Sequence, residues 1–594
     1  AAEQRRMPLY TLEDAFLRSV RPDDPIPAGI VLDRTGIHYE TDKPSDLSAM
    51  LCDPPPVQED AAALLDLMRH YRLSKYNDRR PAAAALPDRP FTLVVDQKRG
   101  DASIPGAGAD AGTFAAMLRE ARASGRPVVV KSHPSGAGYL EGRLPPGVQR
   151  LTGPVDPWAL LEAAAEIHVV SSQMGLDAIL AGRRPIVHGR AFYAGLGLSE
   201  DRVPRPGFPV LTPVQLFAIL YGRYCHWFDP GTGAPTTLER SIAVLDARAR
   251  AARRTARPMA VSGVRAWKRA QIGRFLSAGG ASVRFLTGNR RPRDGEILVH
   301  WASGSPRPDG PAVSMEDGFI RSRGLGASLV PPLSIVLDET GIHFDATASS
   351  GFEAVARAAT DLPPAALRRA KRLREAILST GVTKYGQGGT VRPLADRVVL
   401  VPGQVSDDAS LLRGRVPIDG NAGLLKAARA LYPEAILAWR THPDASAGLR
   451  RGALPAGLVA ECGAIDVSDM ALEALWPRVE RVVTMTSTLG FEALLRGIAV
   501  TCLGWPFYAG WGLSEDRAAP LPEGRRGIAL TLDQLVHAAL IDYPLYLDPV
   551  TGQATAPEIV IERLASGHGG ARGPVLAALS RLQGLAAPYA RLWR

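Results

Sequence analysis

The sequence predicts an α/β protein of two tandem modules, each dividing into two lobes, and three observations carry the prediction. The 594-residue chain writes a long set of motifs twice in the same order. Short apolar, β-branched runs alternate with helical stretches, the pattern of buried parallel strands in βαβ units. Polar residues stand where each run ends, the edge at which open α/β sheets present their ligand sites.

The repeat comes first, because a missed period misassigns the whole fold. "EDAFLRS" from Glu13 returns as "EDGFIRS" from Glu316, "IVLDRTGIHYE" from Ile30 as "IVLDETGIHFD" from Ile335, and "SKYN" from Ser74 as "TKYG" from Thr383. Further on, "QKRGDAS" matches "QVSDDAS", "SHP" matches "THP", "SSQMGLDA" matches "TSTLGFEA", and "FYAGLGLSEDR" from Phe192 matches "FYAGWGLSEDR" from Phe507. The offset between copies grows slowly, as small loop insertions require. Solenoids repeat every ~20–50 residues, so two copies of this length predict two complete sites. The stretch ahead of Glu316, with "VRAWKRAQIGRFL" and the strand-like "GEILVHWAS", has no counterpart ahead of Glu13. The first module is therefore expected to lack its opening βα unit.

In chain order, residues 1–90 are read as this incomplete first lobe. Residues 91–242 form a second lobe with strands in "RPFTLVVDQ", "RPVVVKSHP" and "EIHVVSSQ". Residues 243–260, "LDARARAARRTARPM" and its flanks, read as a basic, alanine-rich helix or linker, or as a solvated helix face. Residues 261–394 are the first lobe of the second module. Residues 395–565 are its second lobe, with "DRVVLVPGQ", "EAILAWRTHP" and "VERVVTMTS", and 566–594 form a tail helix. The proline-rich stretches "LPDRPF" and "TVRPLADR" mark the lobe boundaries. Two Rossmann-like lobes would then face a cleft in each module. No GxGxxG or GxxxxGK[ST] follows a strand, which disfavours dinucleotide and P-loop sites.

Composition narrows the class. Hydrophobic residues at 46% and charged residues at 22% are ordinary for a folded chain. No apolar run reaches the ~18 residues that span a bilayer, and the first residues lack a secretory signal, so a cytoplasmic protein is expected. The four cysteines form no CxxC pattern and read as reduced, mostly buried thiols. A net charge of +10 favours a polyanionic partner, whether nucleic acid, an anionic membrane surface or an acidic sugar, although a general preference for arginine explains it equally well. Nucleic acid is set aside: aromatics are 6% of the chain and interleave no basic strand.

The strand ends carry the candidate chemistry. Ser171 and Ser172, and Thr486 and Ser487, precede a glycine-containing helix, where hydroxyls and free N–H groups suit a phosphate. One turn on, Asp177 and Glu492 are placed to accept ribose hydroxyls or to favour the helix dipole. His133 and His442 stand before a proline at strand ends, fit to hold a phosphate oxygen or to serve the fold; no second metal ligand is spaced nearby. Asp101 and Asp408 are candidates for base or nucleophile and equally for helix N-caps, with Gln97 and Gln404 beside them as sugar-binding candidates. Glu13, Asp14 and Arg18, with Glu316, Asp317 and Arg321, pair acids with a cation: candidates for acid/base work, acceptor positioning or sugar-carboxylate binding, or for a buried ion-pair network.

These motifs, above all "EDGFIRSRGLGASLVPPLSIVLDETGIHFDA", "THPD", "TSTLGFEA" and "PFYAGWGLSEDR", closely resemble the dual-module bacterial capsule β-Kdo transferases, the KpsC family, from Glu13 to about Ile561. The resemblance implies two GT-B glycosyltransferase modules using CMP-β-Kdo. Together they build an alternating β-(2→4)/β-(2→7) poly-Kdo linker on a phosphatidylglycerol lipid, with 2→4 assigned to the first module and 2→7 to the second. It implies Asp101 and Asp408 as nucleophiles of a retaining double displacement. His133, Ser171, Ser172, His442, Thr486 and Ser487 then hold the CMP phosphate, with no metal or other cofactor. Its partners would be CMP-Kdo, a Kdo-primed phosphatidylglycerol glycolipid, the cytoplasmic face of the inner membrane and other capsule assembly proteins. The tail "SRLQGLAAPYARLWR" would rest on that anionic leaflet or be an ordinary terminal helix.

The first module departs from the pattern, with "VKSHPSGAG" for "RTHPDA" and Leu196 where the second has Trp511. The alternatives are a catalytic second module on a scaffolding first one, a CMP-sialic acid transferase, and a non-catalytic polysaccharide-binding or export partner.

Overall fold

The computed structural model of the protein describes residues 9–78, 86–133, 136–152, 155–229, 231–288, 290–304, 307–308, 310–320, 330–382, 389–446 and 450–568. Arg321 and residues 569–594 of the expected tail helix lie outside the described residues. The chain forms two units, Ala1–Ala249 and Arg250–Arg594.

In the first unit the second lobe is a six-stranded, all-parallel sheet. Its order is Val148–Leu151, Val128–Lys131, Phe91–Val95, Ala164–Val169, Ile186–Val187 and Glu200–Asp201. Every residue of the "FTLVV" and "VVVK" strands is buried, as parallel strands covered on both faces require. The helix Ala111–Ala123 starts at a capping box between Asp110 and Thr113 and turns Phe114, Met117, Leu118 and Ala121 inward. These pack with Val94, Val128 and Val130 in one core. Burying each of the larger side chains contributes roughly 1.5–3 kcal/mol.

The first lobe of this unit is a three-stranded antiparallel sheet of Thr11–Asp14, Gly29–Asp33 and Cys225–Trp227. Its last strand arrives only after the second lobe is complete.

The second unit repeats the plan with a larger first lobe. Seven strands run in the order Val283–Phe285, Met259–Ser262, Ile297–Trp301, Ala312–Asp317, Ser334–Asp338, Pro544–Leu547 and Ala554–Thr555. The first four are parallel and the rest antiparallel. Its second lobe is six parallel strands: Ala464–Asp466, Ile436–Arg440, Val398–Pro402, Val479–Thr484, Ala499–Cys502 and Glu515–Asp516.

The structure corrects several expectations. The second lobes end earlier than residues 242 and 565, because Cys225–Trp227 and Pro544–Leu547 pair with first-lobe strands Gly29–Asp33 and Ser334–Asp338. Residues 243–260 hold no solvated helix face: the helix Leu238–Arg254, within which the boundary between the two units falls, buries Leu245, Ala249, Ala251 and Ala252, and Met259–Ser262 is an inner strand of the seven-stranded sheet. What precedes Ala312–Asp317 is three strands and the helix Ala266–Leu276 rather than one βα unit, and among the described residues nothing equivalent precedes Thr11–Asp14. Cys52 is exposed, while Cys225, Cys462 and Cys502 are buried.

Candidate active site

The parallel strands of each second lobe deliver their polar residues to one edge. In the first unit Gln97, just past Phe91–Val95, reaches across to Ser171, just past Ala164–Val169. The Ser171 amide donates to Gln97 Oε1 at 3.0 Å, and Gln97 Nε2 donates to Ser171 Oγ at 3.2 Å. Ser103 Oγ lies 3.2 Å from the same hydroxyl. The second unit repeats the arrangement: the Thr486 amide donates to Gln404 Oε1 and Gln404 Nε2 to Thr486 Oγ1, both at 2.9 Å, with Ser410 Oγ at 3.0 Å. Both glutamines are buried and use their amides on these hydroxyls, so they position Ser171 and Thr486.

Ser172 and Ser487 cap the helices Gln173–Leu180 and Thr488–Leu495, accepting from Met174 and Leu489 amides at 3.2 Å. Each cap is anchored from behind by the tyrosine of "FYAG": Tyr193 donates to the Ser172 carbonyl and Tyr508 to the Ser487 carbonyl, both at 2.6 Å. The following "SED" closes the loop, since Asp201 accepts from Gly195 N–H and Ser199 Oγ, and Asp516 from Gly510 N–H and Ser514 Oγ. The twice-written motif is thus the support of a helix N-terminus. Leu196 and Trp511 are both fully buried, so that departure between the copies is one of packing.

Asp101 and Asp408 do behave as turn caps, each with Oδ1 accepting an amide at 2.9 Å, from Ser103 and Ser410. For neither is Oδ2 hydrogen-bonded among the described residues. In the first unit Asp101 lines a cleft of about 670 Å3 together with Glu13, Tyr39, Lys75, His133, Ser171, Ser172 and Asp177. Burial holds the His133 imidazole below its ordinary range, while the Asp101 charge pulls it upward. In the second unit the Asp444 amide donates to His442 Nδ1 at 3.1 Å, which leaves the neutral ring its proton on Nε2. Burial and the charges of Glu13, Glu40 and Asp101 keep the Tyr39 phenol protonated.

The acidic pairs are satisfied differently in the two units. Asp14 binds Arg18 Nε at 2.5 Å, and Arg18 also donates to Ser19 Oγ and to the Pro22 and Asp24 carbonyls, so it serves its own loop. It does not line the cleft. Asp317 instead meets Lys268 Nζ at 3.2 Å; Lys268 comes from the segment without a counterpart and lies 4.0 Å over the Trp301 ring. Burial and the adjacent Asp317 charge push the Glu316 carboxyl up to about 7, although Lys268 and the Ser303 amide pull it down.

Asp177 is buried, its Oδ1 has no hydrogen bond among the described residues, and desolvation pushes its carboxyl up to about 7 against the opposing charge of Lys75. Glu492 is buried within reach of the charges of Arg440 and Arg496.

Sequence reasoning passed over Lys75, Tyr39, Lys131 and Lys268. Lys75 stood inside a repeated motif and Lys268 inside a noted unmatched one, so both were signalled without a role. Lys131, buried below His133, donates to the Ser132 carbonyl, and desolvation lowers it to about 8.

The capsule polysaccharide biosynthesis protein family matches residues 1–85, 67–208 and 390–546. The chain is 34% identical over 610 residues to the capsule polysaccharide modification protein LipA of Neisseria meningitidis serogroup A, covering 95% of this chain and 86% of that protein. Among solved structures it is similar to the β-Kdo 2,7 transferase of Thermosulfurimonas dismutans KpsC, with 30% identity, 52% of this chain, 99% of that chain and a TM-score of 0.44. The β-Kdo 2,4 transferase of the same KpsC is 32% identical over 41% of this chain and 81% of that chain, with a TM-score of 0.38.

Proposed function

The chain belongs to the capsule polysaccharide biosynthesis protein family, and from that premise we propose that it is a glycosyltransferase with two active units, each transferring Kdo from CMP-β-Kdo. The observation that carries the reading is the repeated cluster. Each unit places an aspartate with one carboxylate oxygen outside its turn, a strand-end histidine, and a hydroxyl-capped helix N-terminus at one sheet edge.

In the first unit the N-terminus of Gln173–Leu180, with Ser171, Ser172 and His133, receives the CMP phosphate. Asp101 attacks the anomeric carbon: a carboxylate–carbon bond forms as the bond from that carbon to the phosphate oxygen breaks, and CMP leaves with the electron pair. The acceptor hydroxyl then attacks the same carbon and expels the carboxylate while Glu13 takes the hydroxyl proton. Two inversions retain the anomeric configuration. Asp408, His442, Thr486, Ser487 and Glu316 take the same parts in the second unit. No step calls for a metal. Asp177 and Glu492 remain the candidates for ribose contact, and Lys75, a cleft-lining cation, suits the carboxylate of an acidic sugar.

The acceptor in this reading is a Kdo-primed phosphatidylglycerol glycolipid at the cytoplasmic face of the inner membrane, elongated by β-(2→4) links from the first unit and β-(2→7) links from the second. Among the described residues no helix is long and apolar enough to cross a membrane. The intact cluster of the first unit opposes the alternative in which that unit is only a scaffold.

Intact-protein mass spectrometry with CMP-Kdo and no acceptor tests the mechanism. One Kdo adduct per unit, two per chain, is expected, mapping after digestion to the peptides of Asp101 and Asp408. Turnover without any adduct, even on rapid quenching, contradicts the double displacement, and preference for CMP-sialic acid replaces the donor.

A further inference from the structure

In the second lobe of the first unit, Glu120 on the helix Ala111–Ala123, His168 on the strand Ala164–Val169 and His188 just past Ile186–Val187 converge. One ligand atom from each lies within 4.8 Å of the other two. Both histidines are buried. His168 Nδ1 and His188 Nε2 are 3.1 Å apart, close to the spacing of two nitrogens that share one ion at ~2.0–2.1 Å. We infer that Glu120, His168 and His188 form a binding site for a divalent metal ion of the Zn2+ class.

The surroundings fit that use. Arg202 Nε donates to Glu120 Oε1 at 2.8 Å, and Arg202 is itself held by Glu200 at 2.8 Å, so Glu120 is oriented through one oxygen. Glu166 Oε2 stands 3.8 Å from His168 Nε2, on the far side of the ring from His188, and that buried nitrogen has no hydrogen bond among the described residues. Hydrogen-bonded outer partners fix ligand orientation in metal sites, the part Arg202 plays for Glu120. Two imidazole nitrogens and a carboxylate suit Zn2+ or Co2+, whereas Mg2+ and Ca2+ prefer all-oxygen sets.

The second unit shows what these positions hold otherwise. The amides of His188 and Leu503 donate to the carbonyls of Val169 and Thr484, which aligns His188 with Leu503 and His168 with Val483. The inward faces of the helices Ala111–Ala123 and Gly420–Leu431 likewise align Glu120 with Ala427. Ala427, Val483 and Leu503 belong to an apolar core. Two imidazoles in place of that core are costly to bury unless a partner compensates them, and Glu120 stands half-buried beside them. None of the three lines the cleft, so the ion ties a helix to two strands and takes no part in transfer.

The test uses the full chain, stripped with a chelator, dialysed against Zn2+ and measured for bound metal by mass spectrometry. One Zn2+ per chain is expected in the wild type, with a rise in Tm, and none in His168→Val/His188→Leu, which installs the second unit's residues. Glu120→Gln keeps both imidazoles and is expected to weaken binding by at least about tenfold. Co2+ titration should give visible tetrahedral absorption in the wild type alone. A wild type that retains no Zn2+, or variants that retain as much, reduces the contact to a histidine–histidine hydrogen bond and overturns the site.

Discussion

Tyr508 donates a hydrogen bond to the Ser487 carbonyl at 2.6 Å, and its hydroxyl oxygen would stand 2.1 Å from a Cβ placed at Gly490. Tyr193 stands in the same relation to Ser172 and Gly175. The tyrosine therefore sets the helix N-terminus only if the residue three positions past the capping serine has no side chain.

Gly490→Ala should accordingly destabilise the protein by roughly 1–3 kcal/mol, the usual cost of overpacking a rigid site. Tyr508→Phe removes the clashing oxygen, so the double variant should be less destabilised than the sum of the singles. Urea denaturation of the four proteins checks the coupling.

Burial and the Asp317 charge push the Glu316 carboxyl up to about 7, and a base that accepts the acceptor's proton must be ionised. With the first unit silenced by Asp101→Ala, transfer by the second should fall as pH drops through about 7. Glu316→Gln should remove that inflection and leave a slow, flat profile. Initial rates across the pH range decide it.

Lys268 meets Asp317 at 3.2 Å and opposes the upward shift of Glu316. Lys268→Met leaves the two carboxyls without that cation, and the inflection should move above 7. The same rate profile, recorded in the Asp101→Ala background, reads the shift.

Asp338 is buried and accepts from the Thr340, Gly341 and Gly351 amides and from the Tyr543 hydroxyl. Asp338→Ala strands these donors, each costing about 1–3 kcal/mol. The variant should lose several kcal/mol in chemical denaturation, marking "IVLDETG" as a folding element.

The duplication and the alternation of buried strands with helices were legible because both are local patterns in the chain. The strand-end residues were legible for the same reason: a parallel strand places the residue after it at the sheet edge. Cys225–Trp227 was not, because it pairs with Gly29–Asp33 across an entire intervening lobe, which no local periodicity records. Gln97, read as a sugar ligand, lines the cleft and also holds Ser171, a partner far along the chain that only the folded sheet brings to its amide. Arg18 and Lys268 show the same limit, since one acid is served by the next turn and the other by a segment without counterpart. The metal-ligand trio lacks any sequence spacing because three separate elements supply it.

The most direct test of the central claim is mass spectrometry of a Kdo-primed acceptor incubated with CMP-Kdo generated in situ, comparing wild type, Asp101→Ala and Asp408→Ala. Two active units predict repeated elongation by the wild type and at most one addition by each variant. Wild-type elongation by Asp101→Ala would make the first unit a scaffold, and unchanged turnover by Asp408→Ala would contradict the nucleophile.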